Sequence, residues 1–262
     1  MRIPFIIGEA GSCHEESEER AHALLDVAVQ AGCDAVKFQY WSSPERMRER
    51  RHIPDIAHYK TLGKPIPYET GSIKAEWFPR LREQTKAKGI LLACTVYLPE
   101  DVRLVCESVN IVKISSFEAR DRDLTSLVVK HSNPVFISTG MFTEHELSYL
   151  PKRAIRMHCV SAYPCPTAAA NLGAIERGQG YSDHTRSEYM GAFAVCAGAN
   201  FLEVHFGLDD TSSSCPDTIV SHGPEALARY VLLARGAMSA RGDGRKVPQE
   251  VERGNMGYRV IR

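Results

Sequence analysis

The sequence predicts a (β/α)8 TIM barrel, and three observations predict it. Short apolar, β-branched runs recur along the chain, stretches of helical spacing separate them, and both kinds number eight. Such a count in roughly 240 residues is that of a closed parallel barrel. A doubly wound open sheet is the rival, but it rarely needs so many evenly spaced units.

The strand candidates are PFIIGEA (4–10), AVKFQYW (35–41), GILLACTVY (89–97), IVKISSF (111–117), PVFISTG (134–140), AIRMHCVS (154–161), GYSDHT (180–185) and FLEVHF (201–206). The helical stretches between and after them cover 18–33, 74–89, 99–108, 123–132, 143–151, 171–178, 188–199 and 224–239. In the first, Ala21, Leu24, Leu25, Ala28 and Val29 fall at the three-and-four spacing of one buried face. Gly32, Gly89 and Gly198 stand just before the next strand, where a left-handed helix cap is needed. The second crossover departs from this rhythm: residues 42–72 carry Pro44, Pro54, Gly63, Pro65 and Pro67. A loop that long within a compact domain is usually functional, and here it is expected to cover the site with Arg46, Arg48, Arg50 and Arg51. Its segment ERMRERR (45–51) reads as a solvated helix face. Residues 1–240 thus form one barrel domain, and 241–262 read as a polar tail without periodicity.

Composition narrows the partners. The chain has 262 residues, 44% of them hydrophobic, with 32 basic and 32 acidic side chains and a formal charge of zero. That balance argues against nucleic acid or an anionic membrane as the main partner. No apolar run reaches the roughly 20 residues of a membrane span, and MRIPFIIGEAG lacks the pattern of a secretory signal. Eight cysteines contain no CxxC pair. Several lie in apolar runs, such as Cys94 and Cys196, which suits reduced core residues in a cytoplasmic protein.

A barrel gathers the polar residues of its strand ends at one mouth. The eight strands deliver Glu9, Lys37 and Gln39, Thr95, then Lys113, Ser115, Ser116 and Glu118, then Ser138 and Thr139. His158, Ser161 and Tyr163 follow, then Ser182, Asp183 and His184, and finally Glu203 and His205. Two lysines among hydroxyls make a socket for an anion such as phosphate. The alternative is that Lys37 and Lys113 merely pair with Glu9 and Glu118. His184 and His205 lie 21 residues apart, one helix plus one strand, so neighbouring strands place them close enough to share a divalent cation. Ordinary hydrogen-bonded barrel histidines would show the same spacing. The pair Gly8 and Gly11 is no dinucleotide fingerprint, because the third glycine and the ribose-binding acid are missing.

With these segments in hand, the chain resembles the sialic acid synthase family, phosphoenolpyruvate-dependent condensing enzymes that make N-acetylneuraminate and related nonulosonates. The likeness rests on IIGEAGSCH (6–14), AGCDAVKFQ (31–39), LLACTVYLPED (91–101), VKISSFE (112–118), PVFISTGM (134–141), MHCVSAYPCP (157–166), GYSDHT (180–185), FLEVHF (201–206) and CPD (215–217). The resemblance implies that His184 and His205 hold a divalent metal, usually manganese, with magnesium or cobalt as alternatives. It implies that Lys37, Lys113, Thr95, Ser116, Ser138, Ser161 and Ser182 hold phosphoenolpyruvate, with Tyr163 nearby. Glu9 would be the acid/base carboxylate, while Gln39, Glu118 and Asp217 would face an amino sugar. It further implies a homodimer.

Three departures fall on the sugar side. Cys13 stands where the family normally has asparagine, and DDTSSSCPD (209–217) replaces a shorter proline-glycine turn. The family's C-terminal antifreeze-like domain is expected to be missing. The resemblance makes an N-acylhexosamine the first acceptor to consider, and these departures bear on it. A shorter or differently substituted aldose is the second, and a catalytically silent ligand-binding homologue the third.

Overall fold

The computed structural model describes residues 4–50, 68–132 and 134–260. Eight parallel strands close into a barrel in sequence order: β1 (Phe5–Glu9), β2 (Ala35–Tyr40), β3 (Leu91–Val96), β4 (Ile111–Ile114), β5 (Val135–Ser138), β6 (Ile155–His158), β7 (Gly180–Asp183) and β8 (Phe201–His205). β8 returns to β1 with His205 beside Glu9, which closes the ring. The predicted (β/α)8 architecture is the one observed.

Local chemistry starts and stops the helices. α1 (Glu18–Ala31) begins where Ser17 Oγ accepts the Arg20 amide at 3.2 Å, and it ends at Gly32 with φ 82°. α2 (Pro44–Arg50) is the solvated helix expected in the second crossover, with Met47 as its buried residue. α3 (Phe78–Lys88) ends at Gly89 with φ 70°, and α4 (Val102–Ser108) follows β3. α5 (Arg122–His131) is capped by Asp121, whose carboxylate accepts the Leu124 amide at 2.9 Å. α6 (Glu144–Leu147) is one turn, closed by reciprocal bonds between Thr143 and Glu146. α7 (Met190–Ala197) and α8 (Pro224–Arg241) complete the outer layer.

Two helical expectations need correction. The stretch 171–178 forms no α-helix; its crossover holds only 3-10 turns at Thr167–Ala169 and Leu172–Ala174. Asn171 there adopts φ 47° and Gly178 φ 91°, left-handed conformations that interrupt the helical ladder. The tail is not wholly irregular either. A 3-10 helix spans Glu250–Tyr258, although residues 242–260 are exposed throughout. Cys196 is exposed rather than core, because it lies on the outer face of α7, while Cys94 is buried as expected. Among the described residues no helix is long and apolar enough to cross a membrane.

Alternation along each strand separates two cores. Even positions of β2, Val36, Phe38 and Tyr40, pack outward against the helices. The alternate positions point inward, where Ile7, Ala35, Ala93, Ile111, Phe136 and Met157 form a plug with Phe5, Ile155 and Phe201. Gly180 keeps room for that plug, since a Cβ there would stand 2.0 Å from Met157 Sδ. The plug closes the barrel below the mouth, so the polar ends of the same strands face a buried apolar floor.

Phe136 packs edge-to-face on Phe201 at 5.3 Å within this plug. Phe136→Ala should lower unfolding free energy by about 3–5 kcal/mol, because the ring of strands cannot collapse onto the void. Urea titration of the purified variant checks this, and a cost under about 1 kcal/mol would mean that the plug repacks.

Candidate active site

One turn of side chains above the plug, the inward parity delivers Glu9, Lys37, Thr95, Lys113, Ser138, Ser182, Glu203 and His205 into one cavity. Their strand registers match: Glu9 lies beside Lys37 and His205, Thr95 beside Lys113, and Ser182 beside Glu203. The cavity opens to solvent at the mouth, and its enclosed part holds about 120 Å³.

Both lysines are buried, each 3% exposed. Lys37 Nζ lies 2.6 Å from Glu9 Oε2 and donates to Thr95 Oγ1 at 2.6 Å. Lys113 Nζ donates to both oxygens of Glu203, at 2.9 and 3.1 Å, and Ser182 Oγ donates to the same carboxylate at 2.9 Å. Lys113 thus pairs with Glu203, not with Glu118 as the alternative reading of the lysines had it. Glu118 instead accepts a hydrogen bond from Ser115 and does not line the cavity.

Two carboxylates in one cavity are pushed apart in acidity. Burial raises Glu9 to about 7 against the pull of Lys37, with Glu203 adding to the rise. Burial would raise Glu203 too, but Lys113 and Lys37 override it and hold that group well below the ordinary carboxylate range. Burial likewise works against the charge on Lys37, and Glu203 and Glu9 outweigh it and raise its pKa. The result is one fixed anion, one carboxyl able to exchange a proton near neutrality, and two ammonium groups.

The histidines meet beside this cluster. The rings of His184 and His205 lie 5.5 Å apart, and Tyr163 packs 4.2 Å from His184. His184 Nδ1 donates to the Val160 carbonyl at 2.8 Å, which leaves Nε2 as a lone-pair donor. Burial, then the neighbouring His205, lowers His184 to about 3; burial also lowers His205. His205 Nδ1 is buried 3.9 Å from Asp217 Oδ1, and among the described residues it has no hydrogen-bond partner. Two neutral imidazoles with a ring nitrogen free on each suit a divalent metal. Among the described residues, however, no group of three or more His, Cys, Asp or Glu side chains could hold one. Remaining ligands would have to come from water or substrate.

The side facing the mouth is built differently. Gln39 is held at both ends of its amide: Nε2 donates to the Gly71 carbonyl at 3.0 Å and Oε1 accepts Tyr97 Oη at 2.9 Å. Trp41 and Tyr68 form an aromatic wall of the cavity, packed with Met47, and Trp41 Nε1 donates to the Tyr68 carbonyl at 2.7 Å. Opposite, Asp217 Oδ2 accepts both the Ser12 amide at 2.7 Å and Ser12 Oγ at 2.6 Å.

Of the residues expected from the sequence, Glu9, Lys37, Gln39, Thr95, Lys113, Ser116, Ser138, Tyr163, Ser182, His184, His205 and Asp217 all line this one cavity. Ser161 sits behind it, sharing a 2.7 Å hydrogen bond with Ser116. His158 points away from the mouth and donates from Nε2 to the Ala170 carbonyl at 2.9 Å. Glu203 also stands at a strand end in the sequence, where the pattern alone assigns it no role. Strand parity was the available signal, since it shares a face with His205 two positions on. Ser12, Met47 and Tyr68 carry no signal, because a turn, α2 and a loop place them, while Trp41 and Tyr97 lie one residue past the ends of β2 and β3. Arg46, Arg48 and Arg50 pair with surface acids, including Glu100, Glu69 and Asp121 respectively, while Arg51 lies outside the described residues.

A model of the NeuB family matches residues 24–246. A pseudaminic acid synthase of Campylobacter jejuni is 30% identical across 92% of this chain and 76% of its own length. An N,N'-diacetyllegionaminic acid synthase of the same species is 29% identical across 98% of this chain and 83% of its own. Among solved structures, the N-acetylneuraminic acid synthetase of Leptospira borgpetersenii, crystallised with citrate, superposes with a TM-score of 0.84 at 27% identity, covering 98% of this chain and 91% of that one.

The Lys113–Glu203 pair generates a stability prediction. Glu203→Gln leaves Lys113 buried beside a neutral partner and should cost about 3–5 kcal/mol. Replacing both, with Lys113→Met and Glu203→Leu, should cost clearly less than the sum of the two single changes. A denaturant-unfolding double-mutant cycle measures this; strictly additive costs would show that the pair is not coupled.

Proposed function

This chain belongs to the NeuB family of sugar-acid synthases, and on that premise we propose that it condenses phosphoenolpyruvate with an N-acylhexosamine-type aldose. The products are a nonulosonic acid and phosphate. The observation that carries this reading is the arrangement of Lys37 and Lys113 among Thr95, Ser116, Ser138 and Ser182, beside two neutral imidazoles, over a buried apolar floor.

Lys37 and Lys113 would bind the phosphate and carboxylate of phosphoenolpyruvate, and the hydroxyls would donate to the remaining anionic oxygens. Both ammonium groups are already desolvated and fixed by carboxylates, so little reorganisation accompanies charge development. His184 and His205 would hold a divalent metal, most plausibly manganese, which when bound supplies Lewis-acid polarisation of the acceptor's aldehyde oxygen. The enol carbon forms the new C–C bond to the aldehyde carbon, water adds to the resulting cationic carbon, and phosphate leaves by C–O cleavage. Glu9, at about 7, can give a proton to the aldehyde oxygen and recover one from the attacking water. Gln39, locked by Gly71 and Tyr97, and Asp217, locked by Ser12, would orient the sugar. The aromatic wall around Trp41 and Tyr68 would shield the cationic carbon from bulk solvent.

Release of inorganic phosphate from phosphoenolpyruvate, measured against a panel of aldoses with manganese present, tests the proposal. Release is expected with N-acylated hexosamines. Release only with shorter aldoses would move the acceptor to the second class, and none with any sugar would refute the synthase reading. His205→Ala should at least halve the metal retained after dialysis, by elemental analysis, with the circular dichroism spectrum unchanged. Undiminished metal would remove His205 from the ligand set. Thr95→Val should weaken phosphoenolpyruvate binding about tenfold by calorimetry, the worth of one hydrogen bond to a charged group.

A further inference from the structure

We propose that Cys13 and Cys215 are a redox-modifiable dithiol, closed to a disulfide by a peroxide, whose closure loosens the grip on Asp217. Cys13 lies on the turn after β1, and Cys215 ends the loop after β8, immediately before the 3-10 turn Pro216–Val220. Their sulfurs stand 3.9 Å apart across 202 residues of chain. Both thiols are free and buried, Cys13 at 0% and Cys215 at 7% exposure.

What surrounds the pair gives it a consequence. Two serines hold Asp217, and each thiol touches one of them. Ser12 donates to Asp217 Oδ2 from both its amide and its hydroxyl, and Ser12 Oγ lies 3.2 Å from Cys215 Sγ. Ser221 Oγ donates to the Asp217 carbonyl at 2.7 Å and lies 3.6 Å from Cys13 Sγ. A disulfide needs its sulfurs about 2.05 Å apart, so closure must shorten the present separation by nearly half. On the β1 side, Gly11 packs directly against the Asp217 carboxylate, where a Cβ would stand 2.4 Å from Oδ2. Ser213 and Ser214, exposed at the loop tip just before Cys215, can give way. Closure therefore draws Cys215 off Ser12 and shifts the segment that carries Asp217.

The chemistry balances with one peroxide. The Cys215 sulfur attacks the peroxide, the O–O bond breaks, and a sulfenic acid and one water form. The Cys13 sulfur then attacks the Cys215 sulfur; the S–S bond forms, the S–O bond breaks, and a second water leaves. Two thiols lose two electrons and the peroxide gains them. The roles follow from access: Cys215 is the more exposed sulfur, 7% against 0% for Cys13, and so meets the peroxide first.

The test needs no substrate, so its failure is separate from failure of the synthase reading. The reduced protein is treated with a small excess of hydrogen peroxide, digested, and mapped by mass spectrometry. A linked peptide joining Cys13 to Cys215 is expected, lost on reduction with dithiothreitol and absent from Cys13→Ser and Cys215→Ser. Hydrogen exchange at the Ser12 amide should be about tenfold faster in the oxidised form, matching loss of one hydrogen bond to a carboxylate. If either variant folds poorly, the wild-type map and exchange rates decide alone. Thiols that stay reduced while Cys196 oxidises, or a linkage that leaves Ser12 exchange unchanged, would overturn the proposal.

Discussion

Two ammonium groups cannot be buried at the top of a barrel unless something in the barrel answers their charge. Lys37 and Lys113 meet this requirement with Glu9 and Glu203, and the arrangement of the remaining mouth follows from the solution. Glu203 takes the central place: it binds Lys113 twice, accepts Ser182, and acts through space on Lys37 and His205. Burial raises Glu9 toward neutrality, and the fixed negative charge of Glu203 adds to the rise. An apolar replacement of the ions would be no less stable in principle. The ionic version is what an anionic ligand requires.

The barrel supplies this arrangement cheaply. Each strand alternates between the helix layer and the interior, so one register decides which residues meet. The positions that fill the plug and those that line the cavity are two apart on the same strands: Ile7 and Glu9, Ala35 and Lys37, Ala93 and Thr95, Ile111 and Lys113, Phe136 and Ser138. The apolar floor and the charged site are therefore one design. Low local polarity beneath the ammonium groups is also what lowers both histidines and leaves them neutral.

The acceptor side obeys a different logic. Gln39 belongs to a strand, but the groups that lock it, Gly71 and Tyr97, come from loops, as do Ser12, Tyr68 and Asp217. Loops tolerate change without disturbing the barrel.

The sequence by itself determined the barrel, the strand that carries each polar group, and the convergence of Glu9, Lys37, Lys113, His184 and His205. All of these follow from short-range periodicity, which one chain displays in full. Only the tertiary structure decided which carboxylate answers Lys113. Glu118 and Glu203 are equally acidic in the sequence, but Glu118 turns to Ser115 while Glu203 points inward from the far side of the ring. Only it showed His158 turned toward the Ala170 carbonyl, the sixth crossover without a helix, and Cys13 beside Cys215. Those outcomes depend on contacts between residues far apart in the chain, whose geometry exists only once the barrel has closed.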